Sequence, residues 1–409
     1  MKVSPFLLGI SLFYYFGDAS PPSQNYGHAP TIVSFPLFYL CSFAYAAASA
    51  LAAWEAGTIT KTGVWDWSPT RSKYRVAAEA LLPTVCVAWA MLVVPVTLGL
   101  VTTATFPTLV SLGPLFMAMA LCVAHTVIGF AIGLRLPRPV AAPVLAVVTW
   151  IVVAFTISLD PPWLRQLSGL CFEYLMFGEA LTFSALWPPV LLLGGLAAAL
   201  ASLWSGKRVV TVPVALALVV VGTLVSFDEV KDRGYFPPIA TGVTEMTCAR
   251  KPGEPEICMP RVTSSALPGI QQAAASVLAG FREAGVERNP RLITDTLPYG
   301  RFVPPSTQQV WRVPLTRSAA SGNERMQLVV HAVGFTCAAP EPVLRRAVLE
   351  WAAHATDTTQ AWQKLKARYD RSGSEAGDAA TAMVRAVQEK PKREQAAWFE
   401  RSVRTACRG

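Results

Sequence analysis

Side chains capable of chemistry are few in this chain, and their spacing excludes more reactions than it supports. His331 and His354 are the histidines of the polar C-terminal part, and neither belongs to an H-E-x-x-H or to a Cys/His pattern. No metal ligands are therefore assigned and no cofactor is expected. There is no G-x-S-x-G elbow and no G-x-x-x-x-G-K-[ST] phosphate loop, and SGKRVV around Lys207 is a pair of loop cations. Cys337 could act as a nucleophile with His331 as its base, but in an oxidising compartment a disulfide is the stronger reading. Cys248, Cys258, Cys337 and Cys407 allow three pairings, of which Cys248 with Cys258 and Cys337 with Cys407 is favoured. No catalytic residue is assigned, and the chain is not expected to be an enzyme. His125 is the one clearly ionisable side chain inside the apolar runs. It is either a neutral imidazole bonded to a neighbouring helix or a proton or substrate group.

The elements that carry these residues belong to two solvents. Apolar residues make up 53% of the chain and charged ones 15%, and the charges are unevenly placed. Before Asp228 there are ten Lys/Arg and seven Asp/Glu; from Asp228 onward there are twenty-five and nineteen. This predicts a membrane part over 1–227 and a soluble part over 228–409, both mildly basic. The basic residues are interspersed rather than clustered, which argues against nucleic acid as a partner.

No charged residue occurs between Glu79 and Arg135. That stretch is about 80 Å of helix against about 30 Å of hydrocarbon, so it holds two spans, broken at the Thr-rich TTATFPT of 102–108. Further apolar runs at 3–16, 31–54, 140–159, 187–204 and 209–227 bring the expected count to about seven. The 3–16 run is read as a short span rather than a cleaved signal, because Pro21 and Pro22 crowd the small residues Ala19 and Ser20. With the N-terminus inside, Lys2, Lys61, Arg71, Lys73, Arg75, Arg135, Arg138, Lys207 and Arg208 are cytoplasmic, and only Arg165 is outside among the connecting loops. The positive-inside rule then predicts a multi-pass plasma-membrane protein with a cytoplasmic N-terminus and an extracytoplasmic domain after Asp228. Small-residue faces such as AYAAASALAA and GGLAAALAS are expected to let the helices pack closely.

On this topology 55–79 is the longest cytoplasmic loop, with Gly57 and Gly63 expected to break the preceding helix and Ser68 and Pro69 to start another. Val64, Trp65 and Trp67 supply apolar surface, suited either to a protein partner or to the headgroup layer of the bilayer. WEAGTITKTGVWDWSPTRSKYRVAAEALLP resembles the segment after the second span of type-2 ABC exporter permeases: Glu, then Gly-Thr, a short coupling helix, and Ser/Thr-Pro with basic residues. Glu55, Gly57, Thr58, Pro69, Arg71 and Lys73 are the matching positions. GFAIGLRLPRPVAAPVLAVV is similar to that family's basic turn between spans four and five. PPWLRQLSGLCFEYLMFGEALTFSALWPP resembles its re-entrant external helices, with Trp163, Glu173 and Glu179 near the outer surface. The likeness covers residues 1 to about 208. It implies a permease subunit that forms a homodimer and seats its coupling segment, Trp65 and Trp67 included, in a separately encoded ATP-binding cassette subunit. TKTGVWDW lacks the family's Leu-rich face, and the last span and the external domain are additions to its minimal plan.

The sequence from Asp228 onward predicts a soluble α+β domain. ALPGIQQAAASVLAGFREAG carries Pro268 in its first turn, apolar residues at Ile270, Ala274, Val277, Leu278 and Phe281, and Gly285 at its end, the pattern of an amphipathic helix. QQVWRVPL and MQLVVHAVGF are expected to be strands. Helices carrying Leu344, Val348 and Trp351, then Trp362, Leu365 and Tyr369, then Met383, Val384 and Val387, then Phe399, Val403 and Cys407 complete it. The Ala/Arg/Val-rich composition resembles that of actinobacterial membrane proteins with appended external domains. The second functional expectation is accordingly a non-transporting anchor whose external domain binds a ligand or a cell-envelope partner.

Overall fold

The computed structural model describes residues 4–21, 25–65, 72–170, 174–205, 208–337, 339–369 and 375–408. The chain is mainly helical and separates into two compact units, Met1–Val243 and Thr244–Gly409.

In the first unit, six helices of the described residues are long and apolar enough to cross a membrane. Their α-helical parts are α2 (Ala29–Lys61), α3 (Lys73–Thr102), α4 (Leu109–Gly133), α5 (Arg138–Phe155), α7 (Phe183–Ser202) and α8 (Arg208–Val230). The expected seventh, at 3–16, is the helix α1 (Ser4–Tyr14), extended by one π-helical turn over Tyr15–Ala19. At 1.5 Å per residue this is about 24 Å, short of the hydrocarbon core. α1 leans on α3, where the Ser11 hydroxyl donates to the Met91 carbonyl at 2.8 Å. The uncharged stretch does divide where the threonines lie: Thr108 caps α4 reciprocally with Ser111.

Among the described residues from Trp163 to Glu179 there is one short helix, α6 (Trp163–Ser168). Trp163 packs edge-on against Phe227, and Glu179 is fully buried within the unit and accepts the Met176 N–H at 2.9 Å. Glu173 lies outside the described residues. Strand β1 (Ala180–Leu181) pairs antiparallel with β2 (Ile239–Ala240). Tyr235 donates to Asp160 at 2.6 Å, and the Val243 N–H donates to the Gly178 carbonyl. These bonds keep residues 231–243 with the first unit, so the units divide later than the change in composition at 227/228.

The second unit is built on a four-stranded sheet ordered β3 (Met246–Ala249), β4 (Glu256–Pro260), β5 (Leu292–Asp295) and β6 (Val310–Val313). The β3–β4 pair is antiparallel; β4–β5 and β5–β6 are parallel. Parallel neighbours need a crossover, and α9 (Leu267–Glu283) provides it between β4 and β5, burying Ile270, Ala274, Val277, Leu278 and Phe281 as its periodicity required. QQVWRVPL contains β6, but MQLVVHAVGF is not a strand. It folds as helix α11 (Glu324–Val333), which follows the short α10 (Leu315–Ser321). Met326, Val329 and Val333 share one buried face there, and Gly334 at φ 61° ends the helix. Helices α12 (Pro342–Ala355), α13 (Thr359–Tyr369), α14 (Glu375–Gln388) and α15 (Lys392–Thr405) follow. Trp351, Phe399 and Phe281 meet in the core, with Trp351–Phe399 ring centroids 4.8 Å apart. The disulfides are Cys248–Cys258 and Cys337–Cys407.

Candidate functional site

The described residues at 55–65 and 72–73 are held differently from a free loop. α2 does not break at Gly57; it continues to Lys61, and Gly63 (φ 70°) turns the chain after it. At 33 residues the helix is about 50 Å long, so its last turns extend beyond one hydrocarbon core. Thr58, Thr60 and Thr62 return their hydroxyls to the carbonyls of Trp54, Ala56 and Thr58, so these three hydroxyls are satisfied within the helix. Ser72 caps the next helix, α3, through the Arg75 N–H. Ser68, Trp67, Pro69 and Arg71 lie outside the described residues.

Gly57 is required by a close approach. A Cβ placed on it would stand 2.6 Å from Cβ of Arg138, in the first turn of α5. Arg138 stacks its guanidinium over Trp54, 4.9 Å from the ring centroid, and donates to the Thr58 hydroxyl at 3.5 Å. The segments 54–83 and 129–148 therefore meet at Gly57, Thr58 and Arg138. Glu55, half-buried one turn away, lines a cleft of about 560 Å³ with Trp54, Glu79 and Thr84. Glu79 forms an exposed ion pair with Arg75 at 2.9 Å.

Trp65, expected as an outward docking group, is half-buried against the bundle. Its ring meets Phe130 edge-on at 5.6 Å and Trp204 at 5.9 Å, and the Lys73 ammonium lies 5.3 Å above it. Val64 beside it is 45% exposed. Outward apolar surface in the described part of this segment therefore rests on Val64 and, at the start of α3, Tyr74, while Trp65 fixes the segment to α4 and to the end of α7. Sequence reading missed Phe130, Trp204 and Arg138 as partners because they lie in other elements; the Lys/Arg-flanked aromatics were the available signal.

Higher in the bundle, His125 of α4 stacks on Tyr45 of α2 with ring centroids 5.0 Å apart and an interplanar angle of 16°. Its Nδ1 is 3.5 Å from the Ser49 hydroxyl, which also receives a bond from Thr149 of α5. Nε2 has no hydrogen-bond partner among the described residues. His125, Ser49 and Thr149 thus link α4, α2 and α5.

In the second unit, Cys337 is bonded to Cys407 and is no free nucleophile. His331 is half-buried in the last turn of α11, where desolvation holds its pKa below the ordinary 6.5. The unfolded chain then takes up the proton first. The contribution to stability is complete above about pH 6.5 and is lost as pH falls through the lowered folded value. Urea-unfolding midpoints of the full chain in detergent should therefore drop on acidification from pH 7 to pH 5, and His331→Gln should flatten that slope. An unchanged slope in the variant would assign the acid sensitivity elsewhere.

The family model that matches, "Domain of unknown function (DUF7224)", covers residues 257–408. No curated protein and no solved structure matches the chain.

Proposed function

We propose that the chain is the membrane-spanning subunit of an ABC-type exporter, coupled to a separately encoded ATPase through the end of α2 and the segment up to Glu79. The observation that carries this reading is the meeting of Gly57 and Thr58 with Arg138, beside Trp65 clamped by Lys73, Phe130 and Trp204. A push on this segment is transmitted at once to α2, α4, α5 and α7. The basic residues support its cytoplasmic side: Lys61, Lys73, Arg75, Arg135, Arg138 and Arg208 stand at the joints α2–α3, α4–α5 and α7–α8. This assignment does not depend on whether α1 spans. The six long helices alternate in direction from α2 onward, so α8 delivers Thr244–Gly409 to the opposite, extracytoplasmic face. The lipid bilayer and a second copy of the subunit complete the assembly.

The test is to co-express the chain with the Walker-motif ATPase of a neighbouring reading frame and to measure ATP turnover in proteoliposomes. Glu55→Ala, or Trp65→Ala with Trp67→Ala, should lower chain-stimulated turnover by at least about ten-fold, roughly 1.4 kcal/mol of coupling. Normal transport after deletion of residues 59–67, or no co-purifying ATPase, would remove the proposal.

The separate core of the second unit and its two disulfides favour a second reading, a membrane anchor with a binding domain outside the cell. Under it, deletion of 59–67 leaves partner binding intact.

A further inference from the structure

At one end of the second unit's sheet β3 stops while β4 and β5 begin, and arginines gather there. Arg250 directly follows β3, Arg291 directly precedes β5, and Arg282 stands in the last turn of α9. β4 lies between β3 and β5, with Ala249 opposite Ile257 and Glu256 opposite Leu292. The backbones of Arg250 and Arg291 are thus two strand spacings apart, roughly 10 Å. Two arginine side chains can close that gap on a single ligand. Together with Arg282 and Arg288 they line a cleft of about 280 Å³. The buried residues of its lining are apolar: Pro255, Leu278 and Pro290.

The arginines differ in what they already hold. Arg288 is committed, donating from Nη1 to Glu400 at 2.7 Å and from Nε to the Ala332 carbonyl at 2.8 Å. Arg282 complements the carbonyl end of α9, where a cation offsets the helix dipole. Arg250 and Arg291 are exposed, and their side chains make no hydrogen bond or ion pair among the described residues. Against them the lining sets one carboxylate, the half-buried Glu254. Glu283, beside Arg282, lines a separate cleft with Lys392 and Arg393. Lys251 and Glu287, in the adjoining turns, are exposed outside the lining and cancel in charge. The cleft is therefore positive even after Arg282 and Arg288 are discounted. Guanidinium groups bind phosphate through paired N–H donors, and a doubly charged phosphate answers two of them better than a carboxylate does.

We propose that this cleft binds the phosphate group of a small phosphorylated ligand, held between Arg250 and Arg291, with the ligand's less polar part on Pro255 and Pro290. The proposal is independent of transport, since it concerns only the Thr244–Gly409 unit.

The test uses the full chain in phosphatidylcholine nanodiscs and titration calorimetry with inorganic pyrophosphate, orthophosphate and acetate, with empty nanodiscs subtracted. One saturable pyrophosphate site per chain is expected, at least about ten-fold tighter than acetate and weakened by added salt. Arg250→Gln and Arg291→Gln should each weaken it about five-fold, the scale of one solvent-exposed charge pair. Both positions are exposed, so the variants should melt with the wild type. Arg317→Gln removes the same charge from the exposed face of α10, away from the cleft, and should leave the affinity unchanged. Native mass spectrometry of the extracted chain distinguishes the source of the phosphate. A phospholipid retained by the wild type and lost from the Arg250→Gln, Arg291→Gln double variant assigns the site to a lipid headgroup, and its absence assigns it to a soluble ligand. Lack of saturable binding, equal affinity for pyrophosphate and acetate, a double variant as tight as the wild type, or an equal loss in Arg317→Gln overturns the assignment.

Discussion

Gly129→Ala and Gly133→Ala should each destabilise the membrane unit by about 2 kcal/mol or more, while Gly194→Ala should be neutral to stabilising by up to about 1 kcal/mol. The difference comes from what a Cβ would meet. At Gly129 it would stand 2.3 Å from the Ser49 carbonyl oxygen, and at Gly133 2.5 Å from that of Ala53. Both obstacles are backbone of α2, which cannot rotate aside as a side chain does, so α2 and α4 must separate. Lipid provides no hydrophobic drive to hold them together; their association rests on close van der Waals contact, which a small-residue pair four apart makes possible. Separation would also open the Tyr45–His125 stack and the Ser49–His125 contact on the same seam. Gly194 of α7 has nothing within 4 Å of the added methyl, so it reports only helix propensity. The measurement is unfolding of the purified chain in mixed micelles of increasing SDS fraction. A Gly129→Ala midpoint equal to that of Gly194→Ala would sink the argument. Gly129→Val with Gly133→Val is expected to leave no folded bundle.

The pair at Gly129 and Gly133 stands in plain view in GFAIG, yet the sequence argues only that these helices pack, not which backbone each glycine faces. What composition determines is coarser: an uncharged run too long for one bilayer crossing, the threonines that divide it, and basic residues gathered at alternate joints. The end of α2 shows why loop boundaries escape this reasoning. Gly57 predicts a break by its intrinsic cost, but the helix continues because Arg138 leaves no room for a side chain there and the threonines bond back to their own helix. MQLVVHAVGF failed for a related reason. Consecutive valines favour a strand locally, and the helix is selected by burial of Met326, Val329 and Val333 against the sheet and α9. Glu179 is likewise buried through contacts with residues distant in sequence, among them the His28 ring, 3.0 Å from its carbonyl. In α9, by contrast, local pattern and tertiary burial agree, and Pro268 and Gly285 bracket it as expected.

Opening Cys337–Cys407 should lower the stability of the Thr244–Gly409 unit more than opening Cys248–Cys258. The first bond closes a separation of 70 residues and the second one of 10. Loop-closure entropy then assigns them about 4 and about 3 kcal/mol. The structure widens the gap. Cys248 and Cys258 face each other on strands already paired over four residues, so the sheet holds them without the bond. Cys407 follows α15, whose other attachments include Ala396, Phe399 and Val403 in the core, the Trp351 indole N–H bond to Gln395, the Arg288–Glu400 ion pair at 2.7 Å, and the Glu341 N–H bond to the Ala406 carbonyl. The ion pair is partly solvated and worth at most about 1 kcal/mol. Without the disulfide, α15 should therefore fray from its C-terminal end inward, exposing Val403 before Phe399. Cys337→Ala with Cys407→Ala should lower the unit's melting temperature by about 8–16 °C in calorimetry of the full chain, at 2–4 °C per kcal/mol for a unit of this size. Cys248→Ala with Cys258→Ala should lower it by less. The same bonds test the side of the membrane, because they persist only in an oxidising compartment. In intact cells a membrane-impermeant maleimide should label none of the four cysteines until a reductant is added. Absence of labelling even after an impermeant reductant, together with a melting temperature indifferent to reductant, would place the unit in a reducing compartment and remove the stabilisation together with the topology.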